Sequence, residues 1–199
     1  MYTEFICDQL CFAHDKGMLE SENLIEVGHN TWQTSLNRFM KSRLPGFILS
    51  NSTTEMLSRL KVGQYTNYPS DKDIPEGTKA KVVCAFEYLH GRMDPIKSWQ
   101  LLHGMTELNG YMIINGPMGI SSALSPMSVN QLIHIANANN YAVPYFVVAD
   151  RARQFVQRVN SQSTFTNDNI KELLYKFKET PELRVGVIFK KTQDEAFKY

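Results

Sequence analysis

Short continuous apolar runs alternate along this chain with segments whose apolar residues recur every three or four positions. That alternation leaves few architectures open. The runs Leu24–Val27, Phe47–Leu49, Gln64–Tyr68, Lys81–Phe86, Tyr111–Asn115, Val143–Ala149 and Arg184–Lys191 read as seven strands. Between them lie helical stripes: Trp32, Leu36, Phe39 and Met40, ended by Pro45-Gly46; Met56, Leu57 and Leu60, closed by Gly63; Ile96, Trp99, Leu102 and Met105, ended by Asn109-Gly110; and Val129, Leu132, Ile133 and Ala136. Asp168 can cap a further helix carrying Ile170, Leu173, Leu174 and Phe177, which stops before Pro181. An N-terminal helix carries Tyr2, Phe5, Ile6, Leu10 and Ala13 and ends at Gly17. Strands in alternation with helices predict an α/β fold, a mostly parallel sheet covered on both faces. Apolar strands without a polar side fit that prediction, because such a sheet has no solvated face.

The length of 199 residues and the 43% apolar content support one domain with a substantial core. It divides into an N-terminal helix (1–20), a core (24–150) and a C-terminal helix and strand (151–199). The net charge of +1 excludes a nucleic-acid footprint spread over the whole chain. The balance is acidic through residue 150 and basic after it, with Arg151, Arg153 and Arg158 close together, so nucleic acid stays open only through that last segment. Three cysteines make no disulfide framework and suggest a reducing, cytoplasmic setting. The N-terminus lacks the pattern of a secretory signal, and no apolar stretch is long enough to span a bilayer.

Ligands of such sheets bind at the carboxyl ends of the strands, so the residues just after each strand carry the functional information. Glu26 ends the first run and Gly28 opens the turn, where the absent Cβ allows a close backbone approach; a tight turn would need the same glycine. Asn51 follows the second run, as a ligand contact or a helix cap. Asp71 and Asp73 lie in the loop SDKDIP, solvated or facing a ligand. The densest polar cluster, Glu87, His90, Arg92 and Asp94, follows the fourth run. His90 is its candidate general base, or a partner of nearby backbone. Asn115–Gly119 forms a constrained loop that can border a substrate. Cys7, Cys11 and His14 share a helix face, but without a fourth ligand they read as buried side chains and no metal is expected. The sequence holds no GxxxxGK[ST] phosphate loop and no GxSxG elbow, which disfavours ATP hydrolysis and serine-hydrolase chemistry.

In order, these segments resemble the class I S-adenosylmethionine-dependent methyltransferases. Glu26-Val27-Gly28-His29-Asn30-Thr31-Trp32 keeps the acid and first glycine of the family's Gly-rich turn, with Asn30 and Trp32 in place of the later glycines. NSTTEML (Asn51–Leu57) matches the turn after the second strand, with Asn51 where the family has an acid. SDKDIP, AFEYLHGRMDP and LHGMTELNGYMIINGP resemble the loop after the third strand, the segment after the fourth, and the helix, turn and fifth strand. The resemblance implies a Rossmann-like three-layer sandwich with an antiparallel last strand. It implies S-adenosylmethionine as cofactor, with Glu26, Gly28 and Asn30 at the methionyl end, Asn51 at the ribose, Asp71 near the adenine and Glu87 completing the contacts. His90 would be the base where the methyl acceptor must lose a proton, with Glu87 or Asp94 orienting it. The acceptor would be a small molecule or a protein, met by residues 1–20 and 116–130. The alternative is a catalytically inactive fold of this kind, serving as a binding, scaffold or viral accessory protein, which Asn30, Trp32 and Asn51 motivate. A nicotinamide-dependent enzyme would want a fuller GxGxxG and an acid after the second strand.

Overall fold

The computed structural model describes residues 2–28, 57–89, 92, 94–119, 128–150, 156–158, 172, 175 and 183–199. The expected helix at Trp32–Met40 and the strand at Phe47–Leu49 fall outside the described residues, as do Asn30, Asn51, His90, Arg151 and Arg153; of the expected helix at Ile170–Phe177 only Glu172 and Tyr175 are described, and both are helical.

Helix α1 (Tyr2–Asp15) leads into β1 (Ser21–Val27). Then come β2 (Val62–Tyr68), a short 3-10 turn at Asp71–Asp73, β3 (Ala80–Phe86), α2 (Pro95–Met105), β4 (Thr106–Met118), α3 (Val129–Ala138), β5 (Ala142–Asp150), β6 (Val156–Arg158) and β7 (Leu183–Lys190). All seven strands join one sheet in the order β2-β1-β3-β4-β7-β5-β6. Pairing is parallel from β2 through β4. β7 runs antiparallel to both β4 and β5, as expected of the last strand. Among the described residues six strands of seven residues or more form the body, and the expected strand at Phe47–Leu49 lies outside them. The seventh, β6, is a three-residue edge strand antiparallel to β5, in a stretch where no strand was expected.

The strands bury both faces. In β3, Val82, Cys84 and Phe86 join one core cluster with Phe5, Ile6, Leu10 and Ala13 of α1. Val83 and Ala85 point the other way, into a cluster with Trp99, Leu102 and Met105 of α2 and Val129, Leu132 and Ala136 of α3. This is the three-layer arrangement the sequence predicts, with alternate residues serving opposite layers. The two helices on the second face are capped locally. Asp94 accepts from the Lys97 N–H at 3.1 Å with Pro95 beginning α2, and Ser128 and Gln131 form a reciprocal capping box on α3.

Asn109-Gly110 does not separate a helix from a strand. α2 gives way directly to β4 at Thr106, and the dipeptide lies inside the strand. Asn109 adopts φ 61°, its N–H donates to the Lys191 carbonyl at 2.8 Å, and the ladder with β3 shifts register between Ala80 and Val82. The pair therefore makes an irregularity in a ladder rather than a chain reversal. Among the described residues no helix is long and apolar enough to cross a membrane.

Candidate functional site

Parallel pairing of β2, β1, β3 and β4 brings their carboxyl ends to one edge of the sheet. Gly28, Tyr68 to Asp71, Glu87 to Leu89, and Asn115 to Gly116 meet there. Because β7 runs the other way, its first residues arrive at the same edge, which places Arg184 beside Glu87.

Gly28 has φ 107°, a conformation that strongly favours glycine. Its N–H donates to the Tyr68 carbonyl at 2.9 Å, and its own carbonyl accepts from Asn67 Nδ2 at 3.1 Å. A Cβ at Gly28 would lie 3.3 Å from Cδ2 of Tyr88. The turn after β1 is thus tied to the end of β2, and the ring of Tyr88 stands directly on it.

Tyr88 is itself covered. The Arg92 guanidinium carbon lies 4.0 Å from the centre of its ring, and Arg92 Nε–H donates to the Tyr88 carbonyl at 3.2 Å. Arg92 also pairs with Asp71, Nη1 to Oδ1 at 3.6 Å. Asp71 opens the short turn that follows β2, which Ser70 caps by accepting from the Lys72 N–H. The Tyr88 hydroxyl is buried, with the side chains of Ser98 and Asp71 near it but no hydrogen bond of good geometry among the described residues. Burial pushes its pKa up and Asp71 adds to that, while Ser98 and the charge of Arg92 pull the other way.

Glu87 takes φ 57°, its N–H donates to the Asn115 carbonyl at 2.7 Å, and its carboxylate meets Arg184 Nη1 at 2.7 Å. Glu26 is fully buried. Its side chain lies on the Leu24 side of β1, where the Tyr65 hydroxyl donates to Oε2 at 2.6 Å. Burial first, and the charge of Glu26 next, push both the Tyr65 hydroxyl and the Cys84 thiol well above their ordinary ranges.

Of the residues the sequence singled out, Gly28, Asp71 and Glu87 gather at the strand ends, and Glu26 lies one turn of the pleat deeper. Asp94, expected to orient His90, is the cap of α2. Cys7 and Cys11 are half-buried on α1 and pack against its core cluster. No three His, Cys, Asp or Glu side chains converge as metal ligands among the described residues. Sequence reasoning missed Tyr88, Arg184 and Gln9. Gln9 is fully buried on α1 and accepts from Asn115 Nδ2 at 3.2 Å, directly under the end of β4. Only the polar character of Gln9 on an otherwise apolar helix stripe could have flagged it.

No protein-family model matches the sequence, and no curated protein matches it either. Solved structures do. One described as a sarcosine dimethylglycine methyltransferase from Galdieria sulphuraria superposes with a TM-score of 0.53 at 12% identity, covering 96% of this chain and 85% of that one. An O-methyltransferase segment, StiE O-MT residues 961–1257, gives a TM-score of 0.51 at 7% identity, covering 96% of this chain and 74% of the other. The [4+2]-cyclase SpnF gives 0.50 at 11% identity, covering 92% and 80%. Two of these three names denote methyl transfer and one does not, so the similarity speaks to architecture rather than to a particular reaction. With its parallel β2-β1-β3-β4 edge and a reversed β7 inserted before β5, the chain has the fold of the class I S-adenosylmethionine-dependent methyltransferases.

Proposed function

We propose that this chain binds S-adenosylmethionine and transfers its methyl group to a small-molecule or protein acceptor, in a reducing, cytoplasmic setting. The observation that carries this reading is the sheet order, which brings Gly28, Asp71 and Glu87 to one edge. In an order that runs 3-2-1-4, the strand beside the first is the second. Here that strand is Val62–Tyr68, so the carboxylate that follows it is Asp71. Asp71 therefore takes the ribose hydroxyls in this reading, the role the sequence offered to Asn51. An ionised acceptor makes roughly twice as strong a bond to a hydroxyl as a neutral amide does.

The residues present suit such a cofactor at two points and contest it at a third. Gly28 gives a backbone that a ligand can approach closely, and Asp71 gives a diol acceptor. Over Gly28, however, stands the ring of Tyr88. When bound, S-adenosylmethionine supplies an electrophilic methyl group for in-line attack. The chain's own part is then to align the acceptor and exclude water, with His90 taking the proton of an acceptor that must lose one.

The second reading is a catalytically inactive relative of this fold, and Tyr88 on Gly28 is the observation that favours it. Calorimetric titration of the full chain with S-adenosylmethionine and S-adenosylhomocysteine separates the two. Saturable binding is expected, with thermal stabilisation of about 2.7 kcal/mol at a hundredfold excess over Kd. Absence of both heat and a shift in melting temperature at millimolar ligand, in the wild type and in a variant without the Tyr88 ring, rejects the methyltransferase reading.

A further inference from the structure

Tyr88, Arg92 and Asp71 form one assembly over Gly28, and the contacts within it are unequal. A Cβ at Gly28 would lie 3.3 Å from Cδ2 and 3.4 Å from Cβ of Tyr88, whose side chain is almost wholly buried. The Arg92 guanidinium lies over the ring, 4.0 Å from its centre, and its Nε–H donates to the Tyr88 carbonyl. Its tie to Asp71 is loose, at 3.6 Å between two side chains each about one-third exposed. A cation thus covers the ring that stands beside the glycine, and a carboxylate at the end of the neighbouring strand pairs with that cation.

We propose that Tyr88 is a plug that competes with the ligand for the space over Gly28, and that the Arg92–Asp71 pair is the latch that holds it in place. The inference rests on the methyltransferase reading, which puts the methionyl end of the cofactor at Gly28 and the ribose at Asp71. It adds a coupling between the two ends. Asp71 serves the latch when the site is closed and the diol when it is open. A ligand carrying a vicinal diol draws Asp71 away from Arg92, the guanidinium loses its anchor, and the ring is free to leave the glycine. A diol ligand without a methionyl tail needs only the first of these steps. The site is thereby selective for ligands that carry both parts, because the energy for moving Tyr88 comes from contacts at the other end of the same molecule.

The latch is light, an ion pair about one-third exposed and one cation–π contact, so it favours the closed form by about tenfold. Apparent affinity falls by the fraction of molecules in the competent form. Removing the latch or the plug should recover that factor.

The test is calorimetric titration of the full-length protein with S-adenosylhomocysteine and, separately, with adenosine, for the wild type, Tyr88→Ala and Arg92→Gln. Tyr88→Ala is expected to bind S-adenosylhomocysteine about tenfold more tightly than the wild type and adenosine unchanged within about twofold. Binding that appears in Tyr88→Ala where the wild type shows none also supports the plug. Arg92→Gln, which frees both Asp71 and the ring, is expected to tighten both ligands by roughly threefold or more. Equal affinity for S-adenosylhomocysteine in wild type and variants overturns the plug and leaves the methyltransferase reading standing. Equal tightening of both ligands by Tyr88→Ala also overturns it, by placing the ring away from the methionyl end. Absence of binding to all three proteins rejects the methyltransferase reading itself. Should Tyr88→Ala fail to fold for want of its buried ring, Arg92→Gln decides: greater tightening of S-adenosylhomocysteine than of adenosine supports the plug, and equal tightening of the two overturns it.

Discussion

Replacing Gln9 by methionine should cost this protein about 2–3 kcal/mol, and the figure follows from three hydrogen bonds. Gln9 Nε2 donates to the carbonyls of Ile114 at 2.9 Å and Val187 at 2.8 Å, two residues that face each other across the β4–β7 ladder. Carbonyl oxygens only accept, so the orientation of the Gln9 amide follows from its neighbours. Oε1 must then face Asn115, and Asn115 must present Nδ2 to it, at 3.2 Å. Gly186 belongs to the same assembly. A Cβ there would lie 3.1 Å from Phe5 and 3.4 Å from Gln9 Oε1, so the missing side chain is what lets α1 come down onto the sheet. Three bonds at about 0.5–1.5 kcal/mol each put the loss near 3 kcal/mol, and methionine, of similar length, returns part of it through apolar burial. The buried Asn115 donor left behind carries a desolvation cost of its own, about 1–3 kcal/mol. A double variant, Gln9→Met with Asn115→Ala, removes that orphan and should lose at least about 1 kcal/mol less than the two single costs together. Urea unfolding followed by circular dichroism measures all four proteins, and at this chain length the single variant should melt about 4–12 °C lower. A cost under about 1 kcal/mol, or strict additivity in the double variant, would refute the assigned amide orientations.

Gly28→Val should destabilise by about 1–2 kcal/mol from its φ of 107° alone, with the 3.3 Å approach to Tyr88 adding to it, and should abolish S-adenosylhomocysteine binding in a thermal-shift titration. A folded variant that binds normally moves the ligand site away from the end of β1. His103 gives a pH prediction. Its Nε2 faces the Glu195 carbonyl at 2.8 Å and must carry a proton, so Nδ1 accepts from the Tyr141 hydroxyl at 2.6 Å and the ring is neutral. Burial chiefly, with the charges of Lys191 and Lys79, holds its pKa below the ordinary value of 6.5, against the pull of the Glu195 carbonyl and Asp194. The folded state then binds fewer protons than the unfolded chain. Stability is fully present above about pH 6.5 and declines as the pH falls below it, until the folded pKa is reached. Thermal unfolding between pH 8 and 5 should show that decline, and His103→Gln should lose it; a rise in stability on acidification would contradict the neutral ring.

The alternation of strands and helices was legible because each element carries its own period. Lys81–Phe86 reads as a strand from six residues, and Trp99, Leu102 and Met105 mark α2 without help from the rest of the chain. The dipeptide Asn109-Gly110 misled because the same two residues serve a chain reversal and a kink inside a ladder. Only the pairing partner, here β3, decides between them. Which strand lies beside β1 is likewise a long-range fact. Val62–Tyr68 has the more polar run, yet it makes the parallel ladder with β1 over the length of the strand. The site divides along the same line. Gly28, Asp71 and Glu87 follow strands, and the rule that ligands meet strand ends finds them. Arg184 lies 97 residues from Glu87, and Gln9 lies 178 from the carbonyl of Val187. No local pattern announces either contact.

The three acids expected as cofactor contacts are each engaged by another residue: Glu26 by Tyr65, Asp71 by Arg92 and Glu87 by Arg184. These engagements are not equally exchangeable. Glu87 and Arg184 meet at 2.7 Å with both side chains mostly out of solvent. Removing one partner from a buried pair costs about 3–5 kcal/mol, and partial exposure puts this pair toward the lower end. Asp71 and Arg92 meet at 3.6 Å with both side chains more exposed, nearer the regime where an ion pair is worth about 0–1 kcal/mol. A ligand that trades contacts for its own binding energy will therefore open the second pair and leave the first. Glu87, expected from the sequence as a cofactor contact, then acts better as a brace that fixes the end of β3 to the start of β7. Asp71 is the one acid of the three whose present partner a neutral diol can replace at small cost.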